Sequence, residues 1–212
     1  MSDIEPNEIK SPRIKFEEIR KQADEFRLRN WKQGILPVDI LRIAEFNLDL
    51  DFIPVDKLKS TFDIDALLFN GLKSIAVDKE EFMNDIFENR LRFSVAHEIG
   101  HIVLHSSIYE KLSFDSLDEK IKFISLIDEE EYNWIEQQAY EFAGRLLVPL
   151  AELEQSLKEI SKGIKKFKEK FGNDNIEMIS TYVSSHICKK FGASDIVIQK
   201  RIKVEKFEAY LE

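Results

Sequence analysis

The sequence has little of what a disulfide-bonded protein or a many-turned β protein needs. It contains a single cysteine, Cys188, which excludes an internal disulfide and a cysteine-rich zinc site. Only seven glycines and five prolines occur in 212 residues, so long linkers are not expected and helices are favoured. We therefore interpret Cys188 as a small apolar residue of a helix.

Long apolar runs and an excess of basic charge are also missing. No run approaches the ~20 apolar residues that cross a bilayer, and the first residues, MSDIEPNEIKSPRIKF, lack the apolar core of a signal peptide. We therefore expect a cytoplasmic protein without a membrane partner. The formal net charge is −9, and an acidic chain repels phosphates, so direct nucleic-acid binding is not expected.

The chain has enough apolar residues to build a core, since 43% are hydrophobic and 16 are phenylalanine. Changes in hydrophobic period predict an α+β fold, mostly helical, with a small and mainly antiparallel three-stranded sheet. The strand candidates are 48–54, 64–69 and 74–77, with a turn at Asn70-Gly71. The helices are predicted at 16–31, 37–44, 84–104, 128–148, 150–171, 176–191 and 194–203.

Three regions are expected from this pattern. Residues 1–14 carry two prolines and several charges and are interpreted as a flexible arm, residues 15–150 as the main domain, and residues 151–212 as a helical C-terminal extension. The last two helices, separated by Gly192, resemble a helix-turn-helix in outline, with basic residues such as Lys200 and Arg201 nearby. The alternative is two packing helices with charged outer faces, and the acidic chain favours it.

Three of the four histidines lie within nine residues, and two of them form the HExxH motif His97-Glu98-Ile99-Gly100-His101. Residues four apart share one face of a helix, so both imidazoles can reach the same ion. Glu98 lies next to His97, where it can flank the ion and accept a proton from the attacking water. The motif predicts a zinc hydrolase with His97 and His101 as metal ligands and Glu98 as the catalytic base.

The alternative is an ordinary buried helix with two hydrogen-bonded histidines and a solvated glutamate. Apolar residues cover nearly all sides of this helix, which is typical of a helix in the middle of a domain. Two histidines and a glutamate need a reason to be present in such a helix, because burying polar groups costs free energy. The metal site is therefore the favoured interpretation.

A catalytic zinc site needs a third protein ligand. His105 lies two turns from His97, about 12 Å along a helix axis, which is too far from an ion held between residues 97 and 101. The acidic helix downstream offers five carboxylates: Glu129, Glu130, Glu131, Glu136 and Glu141. Glu136 is the first candidate, because Ala139 and Ala143 continue its stripe and would allow close packing against the motif helix; Glu141 is the second.

Two segments of the chain together resemble the ImmA/IrrE family of metallopeptidases. They are RFSVAHEIGHIVLH at residues 92–105 and EQQAYEFAGRLLVP at residues 136–149. The family pairs an HExxH helix with a downstream ExxAxxFAxxLLxP segment, which this chain matches at Glu136, Ala139, Phe142, Ala143, Leu146, Leu147 and Pro149. IAVDKEE at residues 75–81 is similar to the family's strand before the active-site helix, so the resemblance covers roughly residues 15–150.

The resemblance implies a zincin-like fold of the gluzincin type, in which zinc is bound by His97, His101 and Glu136, with Glu98 as the base. It also implies the substrate class, because family members of this type cleave a helix-turn-helix repressor in mobile-element or stress regulation. Hence we expect a protein substrate that is itself a DNA-binding repressor.

The match departs from the family pattern at one position. Four residues after Glu136 the family commonly has Asn, and this chain has Tyr140, so hydrogen bonding to a ligand is expected to differ. His105 also matches a histidine often found in the family, and we interpret it as contacting a ligand or facing the substrate, with a plain buried histidine as the alternative. Tyr140 and Arg92 are the sequence-based suggestions for the group that stabilises the oxyanion.

Two functions from different classes follow from these features. The first is a zinc endopeptidase that cleaves a regulator. The alternative is a non-proteolytic binding module that keeps the metallopeptidase fold and sequesters a regulator or toxin partner. The intact HExxH motif favours the first, because a protein that only binds has no use for Glu98.

Overall fold

The computed structural model describes residues 4–69, 71–171 and 176–207, and its helices dominate a small sheet, so the predicted α+β class is confirmed. None of the helices in these ranges is both long and apolar enough to span a membrane. The helices are α1 (Phe16–Asn30), α2 (Ile40–Arg42), α3 (Leu58–Phe62), α4 (Lys79–Met83), α5 (Glu88–Tyr109), α6 (Leu117–Ile124), α7 (Glu129–Leu147), α8 (Leu150–Phe171), α9 (Ile176–Phe191) and α10 (Asp195–Val204).

The sheet has three strands, β1 (Asp51–Val55), β2 (Ala66–Phe69) and β3 (Ser74–Asp78), in the order β1-β3-β2. β2 pairs antiparallel with β3, whereas β1 pairs parallel with β3. The sheet is therefore mixed, and the expectation of a mainly antiparallel sheet is corrected. The reason is α3, which lies between β1 and β2 in the chain and lets β1 pair on the far side of β3.

The predicted turn between β2 and β3 lies partly outside the described residues, because Asn70 is not among them. Gly71 and Leu72, which follow it, both have positive φ, at +60° and +68°. Left-handed residues of this kind reverse the chain tightly, as antiparallel pairing of two neighbouring strands requires.

The described part of the N-terminal segment makes contacts with the rest of the protein. Ile9 is buried in a small apolar cluster with Leu112, Phe123 and Ile135. The backbone N–H of Ser11 donates to the Glu131 carboxylate at the start of α7, at 2.8 Å. Sequence reasoning missed this because both contacts join segments more than a hundred residues apart.

One continuous core joins the main domain with the predicted C-terminal extension. It includes Phe26 of α1, Ile99 of α5 and Phe142 of α7, together with Phe191 and Ile198 near the C-terminus. The last two helices therefore belong to the same apolar interior as the HExxH helix.

Two of the basic residues that suggested a helix-turn-helix, Lys200 and Arg201, make contacts within the protein, although Lys200 is exposed. Arg201 is buried and donates to the carboxylate of Glu141 at 2.7 Å, and the Lys200 ammonium lies 4.0 Å from the ring centre of Tyr140. These contacts agree with the alternative of two packing helices, since a buried and paired arginine does not bind phosphate.

The contact between α5 and α7 is unusually close at Gly100, in the middle of the HExxH motif. A Cβ atom at this position would lie 3.1 Å from both the Cα atom and the carbonyl oxygen of Ala139. Ala139 and Ala143 are fully buried, as their predicted packing role requires. Small residues on both helices allow the two backbones to approach each other, so α7 is held directly against the motif.

We predict that Gly100→Ala destabilises the protein by about 1–3 kcal/mol, because the new methyl group meets backbone atoms that cannot move aside. Urea unfolding measures this change. Gly163→Ala in α8 is the control, since its new Cβ would meet the hydroxyl end of the Tyr182 side chain. That side chain can shift, so the control is expected to keep or gain stability by up to ~1 kcal/mol. Equal free energies of unfolding for Gly100→Ala and wild type would contradict the prediction.

Candidate metal centre

The side chains of His97 and His101 meet on one face of α5. Their Nε2 atoms are 3.0 Å apart, and the two rings lie edge to face. The helical spacing of four residues produces this meeting, as the motif predicted. His101 is buried, whereas His97 is partly exposed at the edge of a cavity.

Glu136 of α7 brings a carboxylate to both rings. Its Oε2 lies 3.1 Å from His97 Nε2, and its Oε1 lies 3.4 Å from His101 Nε2. For a tetrahedral zinc ion with ligands at 2.0–2.1 Å, neighbouring donor atoms are about 3.3 Å apart. The two imidazole nitrogens are 3.0 Å apart, and each has a different oxygen of Glu136 at 3.1 or 3.4 Å, so the spacing of the donor groups is close to that of a zinc site.

Two other glutamates compete for the role of third ligand. Ligand atoms of His97, Glu98 and His101 also lie within 4.8 Å of one another. We nevertheless favour Glu136, because it contacts both imidazole nitrogens directly, whereas Glu98 Oε2 accepts from the N–H of Leu68. Glu141 faces the other way, where Arg20 and Arg201 donate to it at 2.6 and 2.7 Å.

Glu98 lies in a buried pocket between α5 and β2. Its carboxylate accepts from the backbone N–H of Leu68 at 2.7 Å, and Lys120 of α6 donates to the carbonyl of the same residue. Burial raises the pKa of Glu98 to about 7. A carboxylate with such a pKa can both take up and release a proton near neutral pH, as a general base and acid must. Lys120 is also buried, which lowers its pKa to about 8.

Burial and the mutual contacts set the charges of the three candidate ligands. Burial lowers the pKa of His101 to about 4, so its ring is neutral at neutral pH and has a lone pair to offer. Burial opposes ionisation of Glu136, but its contacts with the His101 and His97 rings outweigh it and hold the pKa of the carboxyl well below its usual range. Burial likewise opposes protonation of His97, but Glu136 outweighs it and raises the pKa. A metal ion and a proton therefore compete for the His97 ring.

His105 lies behind His101 and is fully buried. Its Nδ1 is 3.1 Å from Nδ1 of His101, and its Nε2 is 2.9 Å from the side-chain oxygen of Gln138 on α7. The backbone of α5 is kinked at this residue, with φ −127° and ψ 16°. His105 is thus in contact with a candidate ligand and too deep to face a substrate.

A cavity of about 300 Å³ opens beside the three candidate ligands. One wall is the segment 63–67, which includes the start of β2, and another is α6, with Ile121 and Ile124. Tyr132 and Tyr109 also line it. Sequence reasoning missed both tyrosines, because nothing in their spacing relates them to the motif.

The two suggested oxyanion donors lie elsewhere. Arg92 is buried and donates to the carbonyl oxygens of Gly192 and Val38, at 2.9 and 2.6 Å. Its guanidinium therefore links α5 to two loops, and the suggestion for Arg92 is corrected. Tyr140 packs its ring on Phe93 of α5, with 4.7 Å between ring centres, and under Lys200. Its aromatic ring thus faces the motif helix, but it does not line the cavity.

Comparison with known proteins adds one match. The peptidase M78 family model, described as the IrrE N-terminal-like domain, matches residues 87–203, which is more than half of the chain. No curated protein matches the chain. The matched range begins just before α5 and ends within α10, so it contains the HExxH helix, α7 and the C-terminal helices.

We predict that the two glutamates near the histidines respond differently to substitution. Glu136→Ala should lower zinc affinity by more than the about 10–100-fold typical for loss of an outer partner, because it removes a donor atom. Glu98→Gln should still bind one zinc ion per chain, since its side-chain oxygen can keep accepting from Leu68. Chelator competition and metal analysis measure both, with His97→Ala expected to lose the ion and the exposed His186→Ala as the control. Loss of zinc from Glu98→Gln with retention in Glu136→Ala would reverse the assignment.

Proposed function

Since the chain belongs to the IrrE N-terminal-like family of peptidases and has a metallopeptidase-type domain, we propose that it is a zinc-dependent endopeptidase that cleaves a helix-turn-helix repressor. The observation that carries the proposal is the convergence of two imidazole nitrogens and a carboxylate within 3.0–3.4 Å, beside the buried Glu98. Such a donor set suits zinc, and a neighbouring carboxylate suits a hydrolase.

The roles of the residues follow from their positions. His97, His101 and Glu136 would hold the ion. When bound, zinc supplies Lewis-acid chemistry that polarises a peptide carbonyl and acidifies water. Glu98 accepts the proton of the attacking water and passes it to the leaving amine, for which its raised pKa of about 7 is suited. Tyr132 lines the same cavity as Glu136.

The shape of the cavity supports an extended segment of a protein as substrate. β2 is an edge strand of the sheet, and the segment leading into it lines the cavity. An edge strand can pair with an extended peptide. A cavity of about 300 Å³ holds a few side chains and no folded domain, so the repressor would present a loop or linker. The choice of a repressor itself rests on the resemblance of the two motif segments to ImmA/IrrE proteins.

The proposal predicts that zinc-loaded protein cleaves the repressor encoded beside its gene at a single site. Glu98→Gln should reduce the cleavage rate by about 10²–10⁴-fold, the contribution typical of a general base, while keeping its zinc. The matched control is Glu177→Gln, which changes an exposed glutamate of α9 and should cleave like wild type. Gel electrophoresis and mass spectrometry identify the products.

Two results would contradict the proposal. If wild type with bound zinc left the repressor intact, the substrate assignment would be wrong. If Glu98→Gln cleaved as fast as wild type, the assigned base would be wrong. Regulation in cells that persisted with Glu98→Gln but was lost when partner contacts were removed would favour the non-proteolytic binding module.

A further inference from the structure

A chain of buried polar side chains runs from His101 to the N-terminal segment. His101 Nδ1 lies 3.1 Å from His105 Nδ1, and His105 Nε2 lies 2.9 Å from the side-chain oxygen of Gln138. The Gln138 amide nitrogen donates to the Ser11 hydroxyl at 3.2 Å. His105 and Gln138 are both 0% exposed, so water does not reach these two side chains.

The hydrogen bonds of this chain are consistent with only one arrangement of protons that leaves His101 able to bind a metal. Its Nε2 faces Glu136 and His97, so a ligating His101 carries its proton on Nδ1. His105 must then accept at Nδ1 and carry its own proton on Nε2. That proton needs an acceptor, and the side-chain oxygen of Gln138 supplies it.

The opposite orientation of Gln138 would have the opposite effect. An amide nitrogen facing His105 would require His105 Nε2 to accept, so the His105 proton would lie on Nδ1. His105 would then donate to His101 Nδ1, and the His101 proton would lie on Nε2, the atom that faces Glu136. The orientation of one glutamine therefore selects whether His101 presents a lone pair or a proton to the ion.

Contacts of the N-terminal segment with α7 hold Ser11 beside Gln138. Its backbone N–H donates to Glu131 at 2.8 Å, and Arg13 pairs with the same carboxylate at 3.2 Å. Two residues before Ser11, Ile9 is 1% exposed in the apolar cluster with Leu112 and Ile135. The N-terminal segment is thus fixed against α7 on both sides of Ser11.

We propose that Gln138, with Ser11 as its hydrogen-bond partner, is a positioning residue of the metal centre, which holds His105 and, through it, the His101 ring in the tautomer that can bind the ion. This rests on the proposed function, because it assumes that His101 is a ligand. It adds the N-terminal segment to the site.

The first test measures zinc affinity by chelator competition. Gln138→Leu should lower the affinity by about 10–100-fold, the usual effect of removing a partner behind a ligating histidine. Ser11→Ala, one link further away, should lower it by less, and Gln138→Glu, which keeps an oxygen for His105, should retain more affinity than Gln138→Leu. The control is Ser156→Ala, which removes a buried hydroxyl that donates to the Glu152 carbonyl in α8. Affinities that are equal among Ser11→Ala, Gln138→Leu and Ser156→Ala would overturn the proposal.

The second test measures the tautomers of the histidines directly. It therefore applies even where a variant folds poorly or keeps its zinc affinity. With ¹⁵N-labelled histidine there are only four imidazoles to assign, and NMR of the zinc-loaded wild type reads the proton on each nitrogen. The expected result is a proton on Nδ1 of His101 and on Nε2 of His105. In Gln138→Leu, the His105 ring proton should exchange faster with water. A proton on Nδ1 of His105 in the zinc-loaded wild type would overturn the proposal.

The outcomes separate this inference from the proposed function. Absence of zinc binding by wild type would remove both. Zinc binding and Glu98-dependent cleavage with unchanged affinity in Ser11→Ala and Gln138→Leu would remove the positioning role alone.

Discussion

The close crossing of α5 and α7 at Gly100 and Ala139 is the constraint on which the site depends. Glu136 lies one helical turn before Ala139. The distance between the two backbones therefore sets the position of the Glu136 carboxylate. Glu136 is 39 residues from His97 in sequence, and the packing of α7 on α5 brings their side chains to 3.1 Å. Moving α7 outward by the width of a methyl group would separate the carboxylate from both imidazoles.

The site at this crossing places several polar groups in an apolar interior. Three histidines, Glu98, Lys120 and Gln138 lie within or beside the continuous core, where an unpaired polar group costs free energy. Each has a partner on another element: Glu98 on β2, His105 on α7, and Gln138 on the N-terminal segment. The elements around the site are therefore joined through it, and the polar cluster specifies how they pack.

Sequence reasoning reached the parts of the site that depend on local geometry. The spacing of His97 and His101 on one helix face and the alanine stripe beside Glu136 need only the helical period, and the structure brings these side chains together. Spacing alone left Glu136 and Glu141 both open, because each lies on the same helix. The partners that separate them, Arg20 and Arg201, come from α1 and α10, and their contacts are tertiary.

The contacts that sequence reasoning missed have one physical origin. They join segments that lie far apart in the chain. The parallel pairing of β1 with β3, the use of Arg92 by the carbonyls of Val38 and Gly192, and the docking of Ser11 on Glu131 all join segments far apart in sequence. No period of two or 3.6 residues encodes such contacts. Tyr140 shows the same principle, because its ring joins α5 to α10 through Phe93 and Lys200. Tyr140 beside the candidate metal centre thus contributes to packing, and the C-terminal helices share the apolar core of the motif helix.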